Sequence, residues 1–251
     1  MCGIGRSGSG RTAYRREVVD RALRPVKSRL LAPLTAALGP VPADAVTLAG
    51  VVVGLAAALS AAFGRFDLAL GAWWLNRLLD GLDGELARAR AAAAPTRGAY
   101  LDLMADLLTY ATLPLGLAAG VAGTLTGAPL AEPAAVWLAA GAVLAAFYLN
   151  LGSWSLLSAA LLRLDGATPA PAAAARSAAG STSEARLDVE PGLPIPAGLM
   201  EGAETIVAFS LALLWPAAAV ATLSTIALLT LLTAAQRTWW GARRLAGAGP
   251  R

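Results

Sequence analysis

The 251-residue chain contains no histidine, which excludes imidazole acid–base catalysis and histidine-ligated metal. Cysteine occurs once, as Cys2, so no internal disulfide can form. No apolar stretch precedes Cys2, as a lipoprotein cysteine would require, and we read it as inert. Lysine also occurs once, as Lys27; the other basic residues are arginines. With the excess of alanine, this reads as the trace of a GC-rich genome rather than of function. Charged residues make up only 14% of the chain, too few to solvate the surface of a soluble domain this long. The net charge is +4, and no nucleic-acid partner is expected.

What the chain has instead is apolar length. Hydrophobic residues reach 57% and mean hydropathy is +0.62. Alanine-rich runs of about twenty residues recur, the length that crosses a bilayer core. The expected fold is an all-α integral membrane protein of six transmembrane helices, with an amphipathic surface helix before them. The spans fall at about 45–63, 67–88, 99–122, 134–162, 197–215 and 217–240. The first reads as a signal-anchor, since it starts far into the chain and five spans follow. Proline at Trp215-Pro216 breaks the last two spans apart.

Residues 1–38 are read as a disordered Gly/Ser/Arg-rich start followed by the amphipathic helix over 14–38. Its apolar residues, Val18, Val19, Leu23, Val26, Leu30, Leu31 and Leu34, recur at helical spacing among arginines, which suits an anionic membrane surface. Residues 39–245 form the membrane domain, and 246–251 a tail. Within the domain, the Ala/Pro/Ser-rich stretch 165–195 reads as a disordered cytoplasmic loop of low complexity.

Loop charge sets the orientation. The segment before the first span carries eight basic residues, and Arg88, Arg90, Arg97, Arg163, Arg176, Arg186, Arg237, Arg243, Arg244 and Arg251 fall near the loops and tail of the same side. The opposite loops carry only Arg65. Both termini are therefore expected in the cytoplasm of a bacterial inner membrane, with the site at that side.

The second and third spans hold what a membrane helix avoids: Arg77, Asp80, Asp83, Glu85 and Arg88, then Asp102 and Asp106. One aspartate at a helix centre costs about 2.5–3.5 kcal/mol on insertion scales. Four uncompensated ones would cost on the order of 10 kcal/mol, as much as a whole protein's stability. A place at the aqueous interface, pairing with arginines, or a bound cation would each relieve this. The spacing favours the cation. Asp80 and Asp83 lie about 60° apart on one helix face, and Asp102 and Asp106 are four apart on another. The stretch between Arg88 and Gly98 is long enough to return the chain antiparallel, so the acidic faces can meet. Carboxylates without Cys or His make an all-oxygen site suited to Mg²⁺ or Mn²⁺. Gly84 and Ala87 share the face of Asp80 and Asp83, and Gly98 that of Asp102, leaving room for a ligand beside the acids.

The stretch from Asp80 to Asp106 reads DGLDGELARARAAAAPTRGAYLDLMAD. It resembles the signature of the CDP-alcohol phosphotransferases, D-x2-D-G-x2-A-R, a spacer, then G-x3-D-x3-D. Asp80, Asp83, Gly84, Ala87, Arg88, Gly98, Asp102 and Asp106 all match. Before the first span that family often carries P-N-x-x-T. Here Pro42-Ala43-Asp44-Ala45-Val46-Thr47 has Asp44 in place of Asn, with the proline displaced by one. The segment GLMEGAETI, with Glu201, Glu204 and Thr205, also looks like one found in some members.

The resemblance implies an enzyme in which an alcohol attacks the phosphorus that carries a lipid, displacing CMP from a CDP-linked donor such as CDP-diacylglycerol. It implies Asp80, Asp83, Asp102 and Asp106 as metal ligands, with Asp106 also the catalytic base. It implies nucleotide contacts from Asp44, Thr47, Gly84, Ala87, Arg88 and Gly98, and a homodimer. Acceptor contacts are expected from Arg163, Arg237 and Arg243, a basic cluster at the cytoplasmic surface. The rival from another class is a cation transporter using the intramembrane carboxylates. The clustering of the acids at one edge, with no polar path continuing in the last two spans, argues against it. A non-catalytic membrane scaffold would leave the eight signature positions unexplained.

Overall fold

A computed structural model describes residues 33–37, 41–89, 96–164, 198–200 and 202–246; the side chains of 87–89, 96, 97, 99 and 162–164 are outside this set. Of the expected amphipathic helix only 33–37 is described, as a single helical turn. The rest of that helix, the 165–195 loop and both termini lie outside the described residues.

Six helices follow among the described residues: α1 (Ala43–Ala62), α2 (Phe66–Ala89), α3 (Thr96–Val121), α4 (Pro133–Leu164), α5 (Gly202–Leu214) and α6 (Ala219–Ala246). No strand occurs among the described residues. By length and composition four stretches can cross a membrane: Ala43–Ala62, Tyr100–Val121, Pro133–Leu161 and Pro216–Ala246. The other two helices differ for physical reasons. Helix α2 carries the acids and arginines, and α5 has only 13 residues. The chain breaks at Trp215-Pro216 as expected, with a short 3₁₀ turn over Pro216–Ala218 before α6.

Local chemistry sets the helix ends. Gly64 and Gly123 adopt φ of 71° and 66° just past α1 and α3. Each closes its helix with paired amide bonds, Gly64 to Ala61 and Arg65 to Ser60 after α1, and Gly123 to Gly120 and Thr124 to Ala119 after α3. Glu132 starts α4: its side chain accepts the Ala135 amide at 2.7 Å, with Pro133 in the first helical position.

Helix α1 packs along both α2 and α3, and α4 along α6. The α1–α3 seam is backbone against backbone. A Cβ on Gly116 or Gly120 would overlap the carbonyl of Ala58 or Ala61, so only glycine permits this approach. A Cβ on Gly54 would lie 2.5 Å from the Thr109 hydroxyl oxygen and 3.1 Å from Asn76 Nδ2. Both GxxxG pairs, Gly50/Gly54 and Gly116/Gly120, are thus used inside the protomer. Toward the middle, Trp73, Tyr110, Phe147 and Phe209 from four different helices form a cluster of edge-to-face and tilted rings with centroids 5.8–6.3 Å apart. This cluster is the floor on which the acidic site stands.

Candidate active site

The first turns of α1 and α3 and the last turns of α2 meet at one end of the bundle. Asp80 and Asp83 come from α2, Asp102 and Asp106 from α3, and all four are buried. One oxygen each of Asp80, Asp83 and Asp102 lie within 4.8 Å of one another. Asp106 lines the same cleft, as do Thr47 and Asn76. The pairs separated by 19 to 26 residues in sequence are therefore joined as the spacing implied.

The residues expected at the nucleotide gather here in part. The Thr47 hydroxyl lies 2.6 Å from Oδ2 of Asp83 and 3.1 Å from the Ala43 carbonyl, sharing its hydrogen between them. Gly98 stands beside Asp44, whose Oδ1 is 3.7 Å from where a Cβ would be. Gly84 is half-buried on α2, one residue past Asp83. The side chains of Ala87, Arg88 and Arg163 lie outside the described residues. Glu85, outside the signature, is half-buried and turned off the acidic face.

Arg237 and Arg243 do not form one surface cluster. Arg237 is buried, donates to Asn150 Oδ1 at 2.8 Å and sits 4.8 Å over the Trp154 ring. Arg243 is exposed and stacks on Trp239 at 3.8 Å. They lie on different faces of α6, so one looks into the bundle and the other out. In the GLMEGAETI segment, the Leu199 and Met200 amides donate to Thr233 on α6 at 3.0 and 3.1 Å. Glu204 is exposed, Thr205 is buried and Glu201 is outside the described residues.

The carboxylates fit a hard divalent cation. Three oxygens from separate side chains converge, and Oδ1 of Asp83 is buried without a hydrogen-bond partner. An unpartnered buried carboxylate oxygen is costly in protein and is relieved by coordination. Among the described residues no histidine or cysteine stands with them, which matches Mg²⁺ or Mn²⁺.

Sequence reasoning placed Arg77 among the charges of the span but gave it no part in the site. The structure puts its Nη2 3.0 Å from Oδ1 of Asp106 and its Nη1 3.9 Å from Oδ2 of Asp80. Asn76 and Tyr110, also unassigned, both bond the same guanidinium. The only signal in the sequence was an arginine three residues before Asp80, on the acidic face.

No family model matches the chain. It is 36% identical over 174 residues to inner membrane protein YnjF of Escherichia coli, a match covering 69% of this chain and 70% of that protein. It is 35% identical over 146 residues to a bifunctional IPC transferase and DIPP synthase of Rubrobacter xylanophilus, covering 54% of this chain and 33% of that one. Among solved structures it shares the fold of Mycobacterium tuberculosis phosphatidylinositol phosphate synthase, PgsA1, crystallised with CDP-DAG bound. The TM-score is 0.60 at 21% identity, over 89% of this chain and 98% of that one. With eight signature residues in register and the acids they specify brought into one cleft, the chain belongs to the CDP-alcohol phosphotransferase family.

Proposed function

We propose that this protein transfers a phosphatidyl or similar substituted phosphate group from a CDP-linked lipid, such as CDP-diacylglycerol, to an alcohol acceptor, releasing CMP in phospholipid synthesis. The observation that carries this is the convergence of Asp80, Asp83 and Asp102, with Asp106 in the same cleft. Asp80, Asp83 and Asp102 would hold Mg²⁺ or Mn²⁺. Such an ion, when bound, neutralises pyrophosphate charge and polarises the phosphoryl oxygens.

The chain's own groups divide the remaining work. Asp106 accepts the proton of the acceptor hydroxyl as its oxygen bonds to phosphorus, and the P–O bond to CMP breaks with its electron pair leaving on CMP. Thr47 orients Asp83 through its hydroxyl. Asp44, Gly84, Ala87, Arg88 and Gly98 line the nucleotide side: the small residues let the cytidine approach, and Arg88 grips the anionic part through charge-assisted bonds. Arg163 and Arg237 are assigned to the acceptor side; Arg243, turned outward onto Trp239, is not.

The protein works as a six-span inner-membrane protein, with the acidic end and both termini in the cytoplasm. The N-terminal helix lies on the membrane surface, and 39–245 acts as one membrane domain. We infer a homodimer whose contact uses other surfaces than the GxxxG pairs, which are filled within the protomer; crosslinking in native membranes that returned only monomer would count against it. The decisive experiment is CMP release from radiolabelled CDP-diacylglycerol with a panel of acceptor alcohols. CMP release dependent on one acceptor is expected, and no turnover with any acceptor would overturn the reading.

A further inference from the structure

Trp239 and Arg243 form a structure of their own near the end of α6, away from the acidic cleft. They stand four residues apart, about one helical turn, so their side chains share a face. The guanidinium carbon lies 3.8 Å from the indole ring centroid, with the cation over the ring face. Trp239 is 58% exposed and Arg243 is exposed with it, so the pair looks out of the bundle.

Helix length fixes its depth. Ala219 and Trp239 are separated by about 30 Å of helical rise, the thickness of a bilayer's hydrocarbon core. Just before the start of α6, Trp215 is also exposed. Tryptophan collects at the two boundaries of a membrane, and Trp215 and Trp239 are spaced to mark them. Arg243, about 6 Å beyond Trp239, then stands at the level of lipid headgroups. Below the pair, Leu228 and Leu232 continue the same face of α6 and are exposed as well. A cation therefore stands at the head of an apolar track.

The charge there has one sign. Arg244 is exposed beside Arg243, and no acidic residue follows Glu204 in the chain. Among the described residues Arg243 pairs with no carboxylate. Stacking occupies the flat face of its guanidinium and leaves the N–H edge to donate. A planar fork held on a ring presents two donors in parallel, which suits the oxygens of a phosphate and which lysine does not offer.

We propose that Trp239 and Arg243 form a binding site for the phosphate of an anionic phospholipid in the surrounding leaflet. The site lies on the outside of the bundle. The lipid phosphate accepts from the guanidinium edge, and an acyl chain lies along Leu232 and Leu228. This binding does not depend on the proposed transfer reaction.

The test uses full-length protein in detergent, with dioleoylphosphatidylglycerol as probe and bound lipid counted by native mass spectrometry. Arg243→Met is expected to raise the lipid concentration for half-occupancy about fivefold, the effect of one basic residue at an anionic surface. Trp239→Leu keeps every charge and an apolar side chain, and is expected to raise it about threefold through loss of the ring. Arg244 stacks on no ring among the described residues, and Arg244→Met should change it by less than about twofold. All three side chains face out of the bundle, so the folded protein is retained, and lipid held in the cleft cancels in the comparison. Equal weakening by Arg243→Met and Arg244→Met, with none in Trp239→Leu, would mean diffuse charge attraction and overturn the site. Unchanged uptake by Arg243→Met would overturn it too. Displacement of the lipid by millimolar inorganic phosphate would show a site for soluble anions and overturn the lipid as occupant.

Discussion

Thr47 and Asp83, 36 residues apart, are joined by a hydroxyl-to-carboxylate contact of 2.6 Å that fastens the start of α1 to the acidic end of α2. It fixes one oxygen of Asp83 and leaves Oδ1 of the same group buried with no protein partner. Hydrogen bonds to charged groups contribute about 1.5–3 kcal/mol. Thr47→Val keeps the shape and removes the donor. It should lower the rate of CMP release by about 10- to 100-fold, the same energy expressed as a rate. Thr47→Ser should recover most of it; normal turnover in the valine variant would show that the contact has no part in the site.

The four aspartates should not fail alike. Asp80→Asn, Asp83→Asn and Asp102→Asn should each abolish CMP release and weaken metal binding while the protein still inserts, since an amide is cheaper to bury than a carboxylate. Asp106→Asn should stop chemistry but leave nucleotide binding largely intact, measurable as retention of CDP-diacylglycerol without turnover. Glu85→Gln is the control: it sits about 140° around α2 from Asp80 and should stay active. Loss of activity there equal to that of Asp80→Asn would mean the acidic face has been misassigned.

Chelation gives an independent check. Stripping with EDTA should eliminate CMP release, and Mg²⁺ or Mn²⁺ should restore it, because an all-carboxylate site binds hard cations. Full turnover in the chelated protein would remove metal from the mechanism.

Helix packing can be tested apart from chemistry. Gly116→Ala places a methyl group on the Ala58 carbonyl and should destabilise by about 1–3 kcal/mol, the usual range for overpacking. Gly71→Ala meets nothing within 4 Å and should be neutral or stabilising by about 0.5–1 kcal/mol, as expected for alanine over glycine inside a helix. Thermal unfolding in detergent separates the two; equal midpoints would mean the α1–α3 seam is looser than described.

These contrasts mark how far the sequence could be read. The four long apolar helices follow from apolar length, and the acidic pairs from helical spacing, because both are local patterns. Thr47 could be reached only through the family's motif, since nothing in α1 itself points to a carboxylate 36 residues away. Arg77 was visible as a charge, yet its partner lies 29 residues on, across an interhelical contact that periodicity does not encode. Arg237 looked like one of several loop arginines. Its burial depends on Asn150, 87 residues earlier, and on the α4–α6 packing that brings them together. Pairing across helices was the hidden layer throughout.

Bilayers thicken and thin with temperature and lipid composition, and proteins in them answer by tilting or sliding their helices. Side chains between helices act as a soft layer that absorbs such motion. At Gly116 and Gly120 that layer is missing, so α1 and α3 respond as one rigid body. Asp102 and Asp106 lie 14 residues up the same helix from those glycines, about 21 Å along its axis. They stay in step with Thr47 instead of slipping past it. Reaction geometry is thereby decoupled from the state of the lipid, on which the proposed chemistry itself acts.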